Sequence, residues 1–337
     1  MTNLQEIRDN VLSISISALV ADAFLVQDIQ EHLAKIGFID LNGVTLGVLS
    51  TETEAAIQKF QNIAGVNSAN ITASFAKKLI DITIPKITPP SPAAITITLT
   101  GSVGAGGVNN PADVLAIKNR LADLGFQVSR NSIIDAATIK AIKLFQAIIN
   151  GKDTLDVGVN VDGRVDVNGK TCKTLEKSTA PRWQEMPAGS IIEGFLNNDD
   201  LQGDNGDFGT NWIVETVQAA ALIYKDGYLK THSNAALIAT NDISKISGGE
   251  FPPHASHQVG MCCDIRLPRK DGASGGITYL DSEYDRPAMK AMLEAFRKQS
   301  KYRIRRIFFN DMTLITAGLC QEASGHDNHA HVDILAP

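Results

Sequence analysis

Gly325-His326-Asp327-Asn328-His329-Ala330-His331-Val332-Asp333-Ile334 carries three of the chain's seven histidines, and Pro252-Pro253-His254-Ala255-Ser256-His257-Gln258-Val259-Gly260-Met261-Cys262-Cys263-Asp264 carries two more. The run from His329 to Ile334 reads as a β-strand. Residues two apart on a strand share a face, so His329 and His331 would present both imidazoles to one cavity. Asp264-Ile265-Arg266-Leu267 reads as a second strand, and a turn at Gly260 would bring His257 back to Asp264. A catalytic zinc ion takes three protein ligands, usually imidazole and carboxylate, and keeps a fourth position for water. His257, Asp264 and His331 supply such a set, which leaves His329 to handle protons.

These residues also resemble a known family. Asp242-Ile243-Ser244, Gly248-Gly249, the segment from Pro252 to Ile265 and the terminal Gly325-His326-x-x-His329-x-His331-Val332 look like the penicillin-insensitive murein endopeptidases, with Phe208-Gly209-Thr210 matching a segment near the start of that domain. That family belongs to a wider group of zinc peptidases that includes D-alanyl-D-alanine dipeptidases and lysostaphin-type enzymes. The resemblance covers roughly Pro187 to the C-terminus. It implies Zn²⁺ held by His257, Asp264 and His331, with His329 as the base and His254 and His326 as further catalytic or substrate-contacting histidines. Bound zinc brings the pKa of its water towards about 7 and polarises a carbonyl, and a neutral histidine beside it accepts the proton. The chain departs from the family pattern twice. Gln321-Glu322-Ala323-Ser324 lacks the aromatic residue expected before the last Gly-His, and Asp333 stands where a basic residue is expected.

Cys262 and Cys263 directly precede a proposed ligand. On an extended run Cys262 shares the face of Asp264 and Cys263 points away, so at most one thiol approaches the metal. The expected role of both is that of small buried residues in a sheet. Four cysteines, with Cys172 and Cys320 completing the set, do not make a dense disulfide framework, although a single bridge involving Cys320 remains open.

The chain's 337 residues suffice for two or three domains. Its composition, 44% hydrophobic and 20% charged, is that of an ordinary globular protein. A net charge of -6 argues against nucleic acid as a partner. The one basic cluster, Lys298 to Arg306, reads as a helix end entering a strand with a solvated face. No run reaches the roughly 18 apolar residues needed to span a membrane. Val11 to Ala21 is apolar and is followed by Asp22-Ala23, but Glu6, Arg8 and Asp9 before it do not make the positive n-region of a signal peptide.

Two upstream segments match one another. Val26-x-x-Ile29-x-x-x-Leu33-x-x-Ile36-Gly37-Phe38 followed by Thr51 to Gln61 corresponds to Val114-x-x-Ile117-x-x-x-Leu121-x-x-Leu124-Gly125-Phe126 followed by Ala136 to Gln146. Apolar spacings of three and four predict amphipathic helices, and Gly37 and Gly125 stand where helix C-termini favour a left-handed residue. The copies resemble the three-helix peptidoglycan-binding type 1 domain. Val161 to Asp166 and Gly169 to Leu175 match its hairpin and last helix in the second copy, and Ala73 to Ile82 is the corresponding helix of the first. Asp162, Asp166, Asp200, Asp204 and Asp207 lack the spacing of a calcium loop and read as turn formers. Ile84 to Pro92 reads as a stiff proline-rich linker, and Gly101 to Gly107 as a second joint or an entry loop. Trp183 is expected to pack at a domain junction.

The expected architecture is multidomain: two small all-α three-helix peptidoglycan-binding-like modules (1–84 and 108–180) joined by a Pro/Gly-rich linker (85–107), then an α+β zinc peptidase domain (181–337) with a central antiparallel sheet. The resemblance implies hydrolysis of peptidoglycan peptide bonds, favouring the D-alanyl to diaminopimelate cross-link. Peptidoglycan is the expected partner, with neither nucleic acid nor membrane insertion. A wall substrate without an evident export signal suggests release by lysis, as for a phage endolysin, or delivery by a contractile injection apparatus. The alternative is a non-catalytic wall-binding or structural protein with a structural zinc site.

Overall fold

The computed structural model describes residues 2–83, 92–156, 158, 160–198 and 206–337. Most of the proline-rich stretch expected to be a linker, and Asp200 and Asp204, lie outside the described residues.

Residues 2–83 form α1 (Leu4–Asp9), β1 (Ser13–Ser15), α2 (Ala23–Lys35), α3 (Thr51–Ala64), β2 (Asn70–Thr72) and α4 (Ala73–Thr83). Side-chain caps start the longer helices: Asp22 accepts from Leu25 N at the head of α2, and Ser50 from Thr53 N at the head of α3. Leu25, Ile29, Leu33, Ile57, Phe60, Phe75 and Leu79 fill a core of their own. The second copy repeats this plan in β3 (Val103–Gly104), α5 (Pro111–Asp123), α6 (Ala136–Ile149), β4 (Arg164–Val165) and α7 (Lys170–Leu175), so the helices expected from periodicity are present in both. Gly125 ends α5 at φ +88°, and a Cβ there would sit 2.0 Å from the Trp183 carbonyl oxygen, so the position needs glycine for space as well as conformation.

Residues 93–107 are not a free linker. Ile97 and Leu99 are buried, Ile97 N donates to Glu176 Oε1, and the Thr100 and Gly101 amides donate to the carboxylate of Asp113. Two apolar side chains and the backbone donors find partners on the second helical segment, which outweighs the freedom that glycine and proline allow.

The remaining elements are β5 (Trp183–Glu185), β6 (Gly189–Ser190), β7 (Phe195–Asn197), β8 (Phe208–Thr210), α8 (Asn211–Tyr224), β9 (Ile238–Thr240), β10 (Cys262–Arg266), α9 (Arg286–Lys298), β11 (Ile304–Phe308), α10 (Met312–Thr316) and β12 (His329–Ile334). Six strands make one sheet in the order β11-β12-β10-β9-β7-β6, and α8 and α9 pack against each other. The sheet is mixed, where the sequence suggests an antiparallel one. β7 and β9 run parallel because the chain between them passes through α8, and a helical crossover returns it in the same direction.

The apolar cores number two rather than three among the described residues. Helices α5 and α6 share a continuous core with α8, α9 and the sheet, while residues 4–82 keep their own and touch the β6-β7-β9 end through Ala188, Leu196 and Leu237. Trp183 lies in the continuous core between the second helical segment and the sheet, stacked on Phe126 with ring centroids 6.0 Å apart and donating from Nε1 to Ile246 O at 2.7 Å. All four cysteines are free and buried, so the bridge left open for Cys320 does not form. The Lys298–Arg306 cluster is not merely a solvated face: Arg305 and Arg306 both pair with Asp153 and Asp333.

Candidate metal centre

Strands β10 and β12 pair antiparallel with Cys262 opposite Asp333, Asp264 opposite His331 and Arg266 opposite His329. Alternation along the strands puts all six on one face, while Cys263, Ile265, Ala330 and Val332 enter the core on the other. The loop from residue 241 to 260 folds over that face. It is anchored by Asn241 N donating to Asp264 O and by Asp264 N donating to Asp242 O. From the second helical segment, Lys140 Nζ donates to Gly248 O at 2.9 Å. At its end Gly260 turns at φ +61°, where a Cβ would come within 2.5 Å of Gly209 Cα. His257 itself sits at φ +59°, a left-handed conformation uncommon for histidine and held here by the surrounding contacts.

Three donor atoms converge. His257 Nε2 lies 3.0 Å from His331 Nδ1 and 3.2 Å from Asp264 Oδ1, and His331 Nδ1 lies 2.9 Å from the same Asp264 oxygen. All three residues are 2% exposed. Ligand atoms about 2.0–2.1 Å from a tetrahedral ion stand roughly 3.3 Å apart, so the observed triangle matches that spacing. His257 Nδ1 donates to Ile243 O at 3.1 Å, which leaves the Nε2 lone pair facing the other two donors. The same cluster includes Cys262. His257, Cys262 and His331 form one set of donors able to hold a metal ion, and His254, His257 and Asp264 form another.

Charge in the cluster is strongly coupled. Burial would raise the Asp264 carboxyl, but His257 and His331 hold it well below the ordinary carboxylate range. Burial would lower both imidazoles, yet facing Cys262 and Asp264 raises His257 well above its usual value and His331 to about 12. The Cys262 thiol, which burial alone would raise, is brought down to about 6 by those two imidazoles. The cluster therefore retains protons that a cation would displace.

His329 behaves differently. Its Nε2 is 3.4 Å from Asp264 Oδ2 and its Nδ1 2.8 Å from Asn328 Oδ1, and burial, with the neighbouring histidines, lowers its pKa below 6.5. It keeps a fifth of its side chain exposed. His254 Nε2 is 3.2 Å from Asp242 Oδ2, and its ring lies 4.5 Å from that of His257. The His326 ring is 4.9 Å from that of His329, and its Nδ1 lies 2.8 Å from Ser324 O. All five histidines of the two sequence clusters thus meet. His32 and His232 stand elsewhere, beside Asp28 and stacked on Tyr228.

Three contributors, Asp242, the Ile243 carbonyl and Asp333, were not read from the sequence, and a fourth, Cys262, was placed on the face of Asp264 without being assigned to the site. Cys262, expected only as a buried sheet residue, turns its thiol towards two imidazoles, whereas Cys263 turns away and contacts the Asp264 carbonyl. Asp242 supports His254, the Ile243 carbonyl orients His257, and Asp333 stands 3.5 Å from His331 Nε2. The alternation that placed Asp264 also places Cys262, and Asp333 is two residues from His331, so period two was the available signal for both. Comparison with models of known protein families finds no match, and comparison with curated proteins finds none either.

Proposed function

We propose that the chain is a zinc-dependent peptidase acting on peptidoglycan peptides, with His257, Asp264 and His331 as ligands and His329 as the general base. The convergence of Nε2, Oδ1 and Nδ1 within 3.2 Å, beside a partly exposed imidazole, carries this reading. Zinc bound there would supply an acidified water and a polarised carbonyl. The protein's own groups would do the rest. The Ile243 carbonyl keeps the His257 lone pair inward, Asn328 keeps His329 Nδ1 protonated, and His329 Nε2, 3.4 Å from Asp264 Oδ2, would accept the proton. His254, beside Asp242 and the His257 ring, and His326, beside the His329 ring, would donate hydrogen bonds to charge developing on the substrate. A buried donor set of two imidazoles and a carboxylate suits zinc.

The substrate class rests on the likeness of the two histidine motifs to murein endopeptidases, together with the two repeated helical segments that resemble peptidoglycan-binding modules. On this reading the chain is a multidomain wall enzyme, delivered by lysis or by an injection apparatus. The second reading, a wall-binding protein with a structural metal, is favoured by one observation: a thiol lies among the imidazoles, and cysteine with histidine is the usual donor chemistry of structural zinc sites. Incubating purified muropeptides with zinc-loaded protein, with and without chelator, and weighing the products distinguishes the two. New fragments that chelator suppresses support the peptidase, and unchanged muropeptides leave the structural reading.

A further inference from the structure

His257 belongs to both donor sets of the cluster, and His331, grouped with Cys262, also reaches Asp264 Oδ1 at 2.9 Å. On one side stands the carboxylate of Asp264 with His254; on the other stands the thiol of Cys262, two residues back along β10 and on the same face. His331 makes the division visible. Its Nδ1 engages Asp264, its cross-strand partner, while its Nε2 points along the strand to the next rung, where Cys262 and Asp333 are paired. That Nε2 is buried and has no hydrogen-bond partner, in a residue 2% exposed. A charged neighbour, Asp333 Oδ1, stands 3.5 Å away, close enough for an ion pair and too far for a good hydrogen bond. Cys262, 3% exposed, is the soft donor at that end.

We propose that His257, Cys262 and His331 form a second, thiolate-containing donor set, so that the centre takes soft or borderline divalent ions through sulfur as well as through Asp264. This rests on the metal-site part of the proposed function and extends it, since a set of His, Asp and His alone would have no sulfur donor. Binding at this set forms a metal–sulfur bond and metal–nitrogen bonds and releases to solvent the protons that Cys262, His257 and His331 hold between them, with no change of oxidation state. Thiolate selects for softer ions, whereas carboxylate and water suit harder ones. The two sides of the cluster would therefore sort metals, with magnesium and calcium finding no advantage at the inner set.

The test uses the full chain, stripped by chelator under a thiol-free reductant and titrated anaerobically with one equivalent of Co²⁺. The expected spectrum contains a near-ultraviolet thiolate-to-cobalt charge-transfer band together with visible ligand-field bands. Cys262→Ser should lose the near-ultraviolet band and keep the visible ones, and Cys263→Ser, whose thiol faces away, should keep both. Visible bands without the charge-transfer band in the unsubstituted protein would overturn the proposal while leaving the His257, Asp264, His331 site intact. Persistence of the charge-transfer band in a folded Cys262→Ser protein would also overturn it. Failure to take up cobalt at all would defeat both the proposal and the metal-site reading beneath it. The unsubstituted protein decides by itself should Cys262→Ser fail to fold.

Discussion

His331 carries a carboxylate near each ring nitrogen: Asp264 Oδ1 is 2.9 Å from Nδ1, and Asp333 Oδ1 is 3.5 Å from Nε2. Asp333 is in turn held by Arg305 and Arg306, which both reach Asp153 in the second helical segment. A carboxylate behind a metal-binding imidazole orients the ring and raises its basicity, and losing it typically costs about 10–100-fold in metal affinity. Asp333→Asn is expected to weaken zinc binding by that order in competition with a chromophoric chelator. Asp153→Ala, one step further out, should have a smaller effect in the same assay, because Arg305 and Arg306 retain Asp333.

Ligand and base substitutions should separate cleanly. His257→Ala and Asp264→Ala are expected to abolish stoichiometric zinc, measured by elemental analysis after dialysis, and any muropeptide cleavage with it. His329→Ala should retain zinc and lose about 10²–10⁴-fold in turnover, the usual contribution of a positioned general base. Cleavage by His329→Ala at the unsubstituted rate would remove its assignment as base and leave the metal site standing.

The pKa of His329 is lowered by burial and by its histidine neighbours, so its neutral form persists to pH below 6.5. Activity that depends on a neutral base is lost only when that base protonates. The limb of the pH–rate profile that His329 contributes should therefore lie below pH 6.5, whereas a limb at about pH 7 that shifts with the metal used belongs to the metal-bound water.

Stability at acid pH should depend on Asp135. Bonds from the Thr138 hydroxyl and amide, and then Lys118, hold its pKa down to about 2. A depressed folded-state value means stability that is present above the unfolded value of about 4 and lost as pH falls from about 4 towards 2. Asp135 also caps α6, and Lys118, fully buried, donates to it at 3.0 Å. Asp135→Ala should cost at least ~1 kcal/mol at neutral pH from the cap alone and should flatten the fall in stability between pH 4 and 2, followed by urea unfolding at a series of pH values.

Gly260→Ala places a Cβ 2.5 Å from Gly209 Cα and 2.6 Å from the Trp183 ring at a positive φ. Because one obstruction is backbone, the loop must move, and His257 moves with it. The variant is expected to lose more than ~1 kcal/mol of stability, read by thermal unfolding, and to bind zinc more weakly. Zinc at 100 times its Kd should add about 2.7 kcal/mol to the unsubstituted protein and less to Gly260→Ala at the same concentration.

The helices of both repeats, the strand carrying His329 and His331, and the strand carrying Asp264 were legible in the sequence because each is declared by local periodicity: three and four for the helices, two for the strands. The meeting of the five histidines could be anticipated for the same reason, since alternation assigns a face without further information. Other features depended on what lies opposite. The register that sets Asp264 against His331 and Cys262 against Asp333, the parallel pairing of β7 with β9, and the shared core of the second helical segment with the sheet join residues far apart in sequence. Arg305 and Arg306 looked like a solvated basic face until Asp153 and Asp333 were placed beside them. Periodicity states which way a side chain points; only tertiary packing supplies the neighbour, and for Cys262 and Asp333 the neighbour defines the role.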